Sequence, residues 1–185
     1  MKHYEFQNTF HSLYDKAVGL YAKGQRGADT YFTAEENAFL AANGLTAQHL
    51  YDYAEDHNGY GEPGYDLALG IEFIRRDYFS LNQHHTPSGV VLDETKMPAK
   101  TDAVRGIEWL PRIIPKAKAK LRGELPASLM YCCGGDRKFF KTNDINPVEF
   151  LGVVRQNEKN DTAIVEWVVR RVASTRASPV SVLAG

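Results

Sequence analysis

The strongest constraint on this chain is that its helical segments come twice, in the same order. In the first half, "NTFHSLYDKAVGLYAKG" carries Phe10, Leu13, Tyr14, Ala17, Val18 and Tyr21 at helical spacing, and Gly24 and Gly27 stop it. "TAEENAFLAANG" follows as a short helix, with Thr33 as N-cap, Glu36 three residues later in a capping-box pattern, and Asn43-Gly44 as its end. Thr46 caps "AQHLYDYAED", and after the glycine-rich loop "HNGYGEPG" a fourth helix is predicted over "YDLALGIEFIRRDYF". The second half repeats this order. "IEWLPRIIPKAKAKLRG" ends near Gly123, and "GGDRKFFKTND" is a short helix closed by Asn143-Asp144. Asn146 caps "PVEFLGVVRQ", with Pro147 at the first helical position, where its missing N–H costs nothing, and Asp161 caps "TAIVEWVVRRV".

The halves overlay without a gap at a displacement of 100 residues: Lys16-Ala17 on Lys116-Ala117, Tyr31 on Tyr131, Phe39-Leu40 on Phe139-Phe140, Asn43 on Asn143, Leu50 on Phe150. Beyond the loop the displacement becomes 94, with Glu72 on Glu166. Strict identities are few, but caps and apolar positions agree, so an internal duplication is expected. The fold expected is mainly α: two pseudo-symmetric helical halves of about four helices each. The N-terminal half covers 1–79, a polar connector 80–105, the C-terminal half 106–173 and a flexible tail 174–185.

The C-terminal half resembles the uncharacterised bacterial family called domain of unknown function 5069. The resemblance rests on "WLPRIIPKAKAKLRG", "YCCGGDRKFF", "NDINPVEFL" and "EWV", from roughly Gly106 to Arg171. Gly134-Gly135 stand where the family turn has Pro-Leu. The resemblance implies a small helical fold and no particular activity.

With 185 residues and a formal net charge of -1, the chain carries no bulk field for nucleic acid. It has no apolar run of membrane-spanning length and no secretory h-region at its N-terminus. Two adjacent cysteines, Cys132 and Cys133, exclude a disulfide framework, and a reducing cytoplasm is the expected setting. They sit where a helix N-terminus would favour a thiolate, yet free cysteine is also a common buried apolar group, no histidine lies near in sequence, and Cys-Cys is a poor zinc spacing.

The expected function is a small enzyme acting by acid–base chemistry on a small organic molecule, of hydrolase, lyase or isomerase type. It would need no nucleotide cofactor and no metal, and its cleft would lie between the halves. A connector histidine, His84 or His85, is the expected acid or base, with Arg112, Asp15 and Tyr131 orienting or stabilising charge and Cys132 the candidate thiol. Trp109, Tyr31, Tyr78, Phe79 and Asp136 are the expected substrate contacts. His49, Asp52, Glu55 and Asp56 share the third helix and read first as a solvated face. Two rival readings stand: a non-catalytic helical module that binds another protein or forms a homodimer, and a metal-dependent enzyme using His49, His84 or His85.

Overall fold

A computed structural model describes residues 2–177. Eight α-helices account for most of it: α1 His3–Ala22, α2 Ala34–Ala42, α3 Ala47–Tyr60, α4 Tyr65–Leu81, α5 Leu110–Arg122, α6 Gly134–Thr142, α7 Pro147–Gln156 and α8 Asp161–Ala177. Two short antiparallel strands, β1 Ala103–Val104 and β2 Ile107–Glu108, pair Val104 with Ile107 just before α5.

Local chemistry sets most of the helix ends. Thr33 Oγ1 accepts from the Glu36 amide, and the Glu36 carboxylate accepts from the Thr33 amide, closing the capping box at α2. Asn146 Oδ1 accepts from the amides of Val148 and Glu149 at the start of α7. At α8 the side-chain cap is Asn160, one residue before the expected Asp161, because its Oδ1 reaches the Ala163 amide at 3.1 Å. α8 runs through Ala177 and so enters the segment expected as a tail; residues 178–185 lie outside the described residues.

Burial of the apolar faces yields two cores. One gathers Phe6, Phe10, Leu13, Tyr14, Leu40, Leu50 and Tyr53 with Ala68 and Leu69 of α4. The other gathers Leu110, Ile113, Leu121, Tyr131, Phe140, Phe150, Ile164 and Val168 with Ile71 and Tyr78, also of α4. Helix α4 therefore serves both cores, presenting Ala68 and Leu69 to one and Ile71 and Tyr78 to the other. Gly70 gives it room against α7: a Cβ there would meet Val148 Cγ2 at 2.8 Å. The connector is braced rather than loose. The Leu92 amide donates to the Glu124 carbonyl at 2.8 Å, Ser88 bonds the Glu124 carboxylate, and Ser128 bonds Glu94. These contacts hold the segment after α5 in place.

The turn after α2 is a tight joint. Gly44 has φ +73°, and a Cβ on it would lie 2.5 Å from the ring of Phe79. Its counterpart after α6, Asp144, takes the same left-handed region at φ +50°. Gly44→Ala adds left-handed strain and a clash with a buried ring, so it is expected to destabilise the fold by about 2–4 kcal/mol. A lower urea midpoint at unchanged slope checks this.

Candidate active site

The site begins with two lysines on the inner face of α5. Lys116 and Lys120 are one turn apart, so both project the same way, and both are buried. A buried ammonium must be paired. Lys116 Nζ reaches Asp136 Oδ2 of α6 at 2.7 Å, and Lys120 Nζ reaches Glu72 Oε1 of α4 at 2.6 Å. Tyr53 of α3 adds a second donor to the same Glu72 oxygen at 2.8 Å.

Around the second pair lies a narrow crevice of about 10 Å³. His49, Asp52 and Tyr53 line it from α3, Lys120 from α5, and Leu125, Leu129, Met130 and Tyr131 from the segment after α5. That space suits a single water. His49, which lines it, and Glu72, bonded to its Tyr53 and Lys120, each keep a polar atom without a hydrogen-bond partner: His49 Nδ1 and Glu72 Oε2, 3.8 Å apart. Glu72 is fully buried. Burial alone would raise its carboxyl, but the Lys120 ammonium and the hydrogen bonds from Lys120 and Tyr53 prevail and hold it below the usual carboxylate range. Burial, with the nearby Lys120 and Arg75 cations, pushes His49 down to about 3, so its imidazole is neutral at physiological pH. Burial pushes Asp52 up to about 7 against the opposing hydrogen bond from Gln48 and the charge of Lys120. A neutral imidazole, a carboxyl that titrates near neutrality and a fixed ammonium thus share one crevice, the kind of perturbation that gathers at working sites.

The structure brings the residues expected from sequence together only in part: Trp109 and Cys132 meet at Asp136, and Phe79 meets His85, but they form no single site. Tyr131 lines the crevice, although its hydroxyl is committed to the Pro147 carbonyl at 2.8 Å. His84 and His85 are both exposed. They follow the end of α4 with left-handed φ values of 49° and 60°, which turn the chain outward, and His85 leans on the Phe79 ring with Nε2 3.2 Å from Ser80 Oγ. Asp15 is exposed on α1, 3.6 Å from His11. Arg112 donates to the Pro98 carbonyl at 2.8 Å, bracing the connector. Cys132 is fully buried, and burial pushes its thiol up to about 12, which unfits it as a nucleophile at neutral pH. Among the expected contacts, Trp109 Nε1 donates to Asp136 Oδ1 at 3.0 Å, well integrated with Lys116. Tyr31 bonds the Gln25 carbonyl, Tyr78 bonds Glu158, and Phe79 packs under Gly44. These are structural contacts in separate parts of the molecule.

His49 and Asp52 are likewise not on a solvated face; α3 turns them toward α5, while Asp56 pairs with Arg137 at 2.5 Å and Glu55 alone of the four stays exposed. Glu72 and Lys120 were missed. Their signal was present in the sequence: a lone acid inside the apolar run "LALGIEFI", and lysines four apart on a face that also carries Ile113 and Ala117. Among the described residues, no group of three or more His, Cys, Asp or Glu is placed to hold a metal ion, and no helix is long and apolar enough to cross a membrane.

Residues 95–182 match the sequence model of a family described as a domain of unknown function, DUF5069. The comparisons with curated proteins and with solved structures gave no match. Lys120 and Tyr131 fall inside the matched segment, whereas His49, Asp52 and Glu72 fall outside it. The crevice is therefore built jointly by the family-like segment and the helices before it.

Two outcomes follow from these charges. Lys120→Met leaves Glu72 buried without its cation and is expected to cost about 3–5 kcal/mol, read by chemical unfolding. Asp52 has a folded pKa raised above its unfolded value, so its stability contribution is present below about pH 4 and is lost as pH rises through about 7. Asp52→Asn keeps the acceptor for Gln48 and removes that loss. The variant is expected to match the parent at pH 4 and to exceed it at pH 8 in urea midpoint.

Proposed function

We propose that this chain is a small enzyme that moves a proton on a small organic molecule, at a crevice between its two helical halves and without a nucleotide cofactor. The observation that carries the reading is Asp52: a carboxyl titrating at about 7, beside a neutral imidazole with an unpartnered ring nitrogen. A group with such a pKa can both take and return a proton at neutral pH, which typically contributes 10²–10⁴-fold to rate. His49 would position or hydrogen-bond the reacting oxygen, and Lys120 would stabilise negative charge developing there. The crevice offers no free hydroxyl or thiol, since the hydroxyls of Tyr53 and Tyr131 are both engaged and no cysteine lines it. This favours isomerase or lyase chemistry over covalent hydrolysis. Leu125, Leu129 and Met130, each only half-buried, would have to withdraw to admit anything larger than water.

A duplicated ancestry fits the same reading. Helices α2 and α6 each span nine residues and begin 100 residues apart. Lys16 pairs with Glu36 at 2.5 Å where, 100 residues on, Lys116 pairs with Asp136. A crevice between two copies gives one site from both, and the free cysteine pair suits a reducing cytoplasm. The rival, a binding or self-associating module, draws on exposed Leu81, Val90 and Val91 near the connector.

Proton exchange tests the reading whatever the substrate is. A mixture of small carbonyl and hydroxy compounds is incubated with the protein in deuterated water, and deuterium incorporation is read by mass spectrometry. Protein-dependent incorporation into one compound is expected, with a pH limb near 7 and a loss of about 100-fold or more in Asp52→Asn. Incorporation equal in both proteins, or absent with the parent, would overturn the reading.

A further inference from the structure

The second buried lysine has a neighbour that the crevice does not use. Lys116 Nζ lies 3.2 Å from Cys133 Sγ as well as 2.7 Å from Asp136 Oδ2. The lysine is 2% exposed and Asp136 is fully buried, so the amine has no solvent position to swing to. Asp136 is itself fixed, taking hydrogen bonds from Trp109 Nε1 at 3.0 Å and from the Cys132 amide at 3.0 Å. The Trp109 ring in turn lies on Gly135, where any Cβ would come within 2.6 Å of it. That contact accounts for a glycine at position 135. Cys133, unlike Cys132, is partly open to solvent. A rigidly held amine and an accessible thiol therefore face each other at a distance that one bridging atom can close with little movement.

We propose that Lys116 and Cys133 are a modification site, at which dioxygen joins the side chains through a covalent N–O–S bridge. Asp136 takes the extra proton of the Lys116 ammonium and frees the nitrogen lone pair. The S–H bond and one N–H bond break, and one S–O and one O–N bond form. Sulfur and nitrogen give up two electrons each to dioxygen, one of whose atoms stays as the bridge while the other leaves as water with the two hydrogens. The bridge ties α5 to the start of α6 across 17 residues of chain. The first half keeps the corresponding ion pair, Lys16 with Glu36, but has Thr33 in place of Cys133 and so cannot form it. The site is independent of the crevice: Asp52 and Glu72 take no part.

Intact-mass spectrometry of the full chain, before and after exposure to dioxygen, tests this. The expected product is about 14 Da heavier, one oxygen gained and two hydrogens lost, and returns to the starting mass with dithiothreitol. Peptide mapping is expected to join the Lys116 and Cys133 peptides. The product should persist in Cys132→Ser and vanish in Cys133→Ser and Lys116→Arg. Cys133→Ser replaces a half-buried sulfur by oxygen, so its loss of the product does not depend on the tolerance of Lys116→Arg. Three results would overturn the proposal: no mass change, a gain of about 16 or 32 Da confined to Cys133, or a loss of about 2 Da that disappears in Cys132→Ser, which is a vicinal disulfide.

Discussion

The fold turns on two ammonium groups that helix α5 carries into the interior. Each must find a carboxylate there, and each finds it on a different helix: Lys116 on α6, Lys120 on α4. Apolar packing holds helices together with little regard for small rotations, but a buried ion pair tolerates neither a change of register nor the loss of a partner. The lysines thus fix how α5 sits against both neighbours, and they place the two polar clusters of the molecule. One is open enough to hold a water beside His49 and Asp52; the other is buried at Lys116 and Asp136 and partly open at Cys133 and Trp109.

Much of the fold could be read from the chain because its signals are local. Thr33 and Glu36, or Asn146 and Pro147, act over three or four residues, so their consequences are visible in the string itself. The helix ends at Asn43-Gly44 and Asn143-Asp144 are legible for the same reason, and the structure adds that Gly44 and Asp144 take left-handed φ values there. The site was far less so. Lys120 and Glu72 are 48 residues apart and Arg137 and Asp56 are 81 apart, and nothing in either neighbourhood names the partner. Adjacent histidines drew notice at 84 and 85 because they stand out as letters. His49 reads from sequence as part of a solvated helix face, yet α3 carries it inward while the end of α4 turns the other two outward.

The segment after α5 has a double role. It furnishes Leu125, Leu129 and Met130 to the crevice, and its start and middle are tied to the connector through Glu124 and Ser128. These are polar contacts at an exposed surface, individually weak, and none of them involves a residue of either core. Arg112, bonded to the Pro98 carbonyl, secures the far end of the same connector. The long polar stretch before α5 thus lies against the segment that lines the crevice, while its histidines, His84 and His85, stay exposed at its start.

Helix α4 belongs to both cores at once, and this bears on how the protein can be divided. The segment that matches the family begins at residue 95, after α4 has ended. A fragment cut there would keep α5 to α8 but lose Ile71 and Tyr78 from its core, and it would hold Lys120 with no Glu72 to meet it. In this chain the matched segment takes from α4 both a countercharge and a wall of its core, so its boundary in sequence is not a boundary in packing.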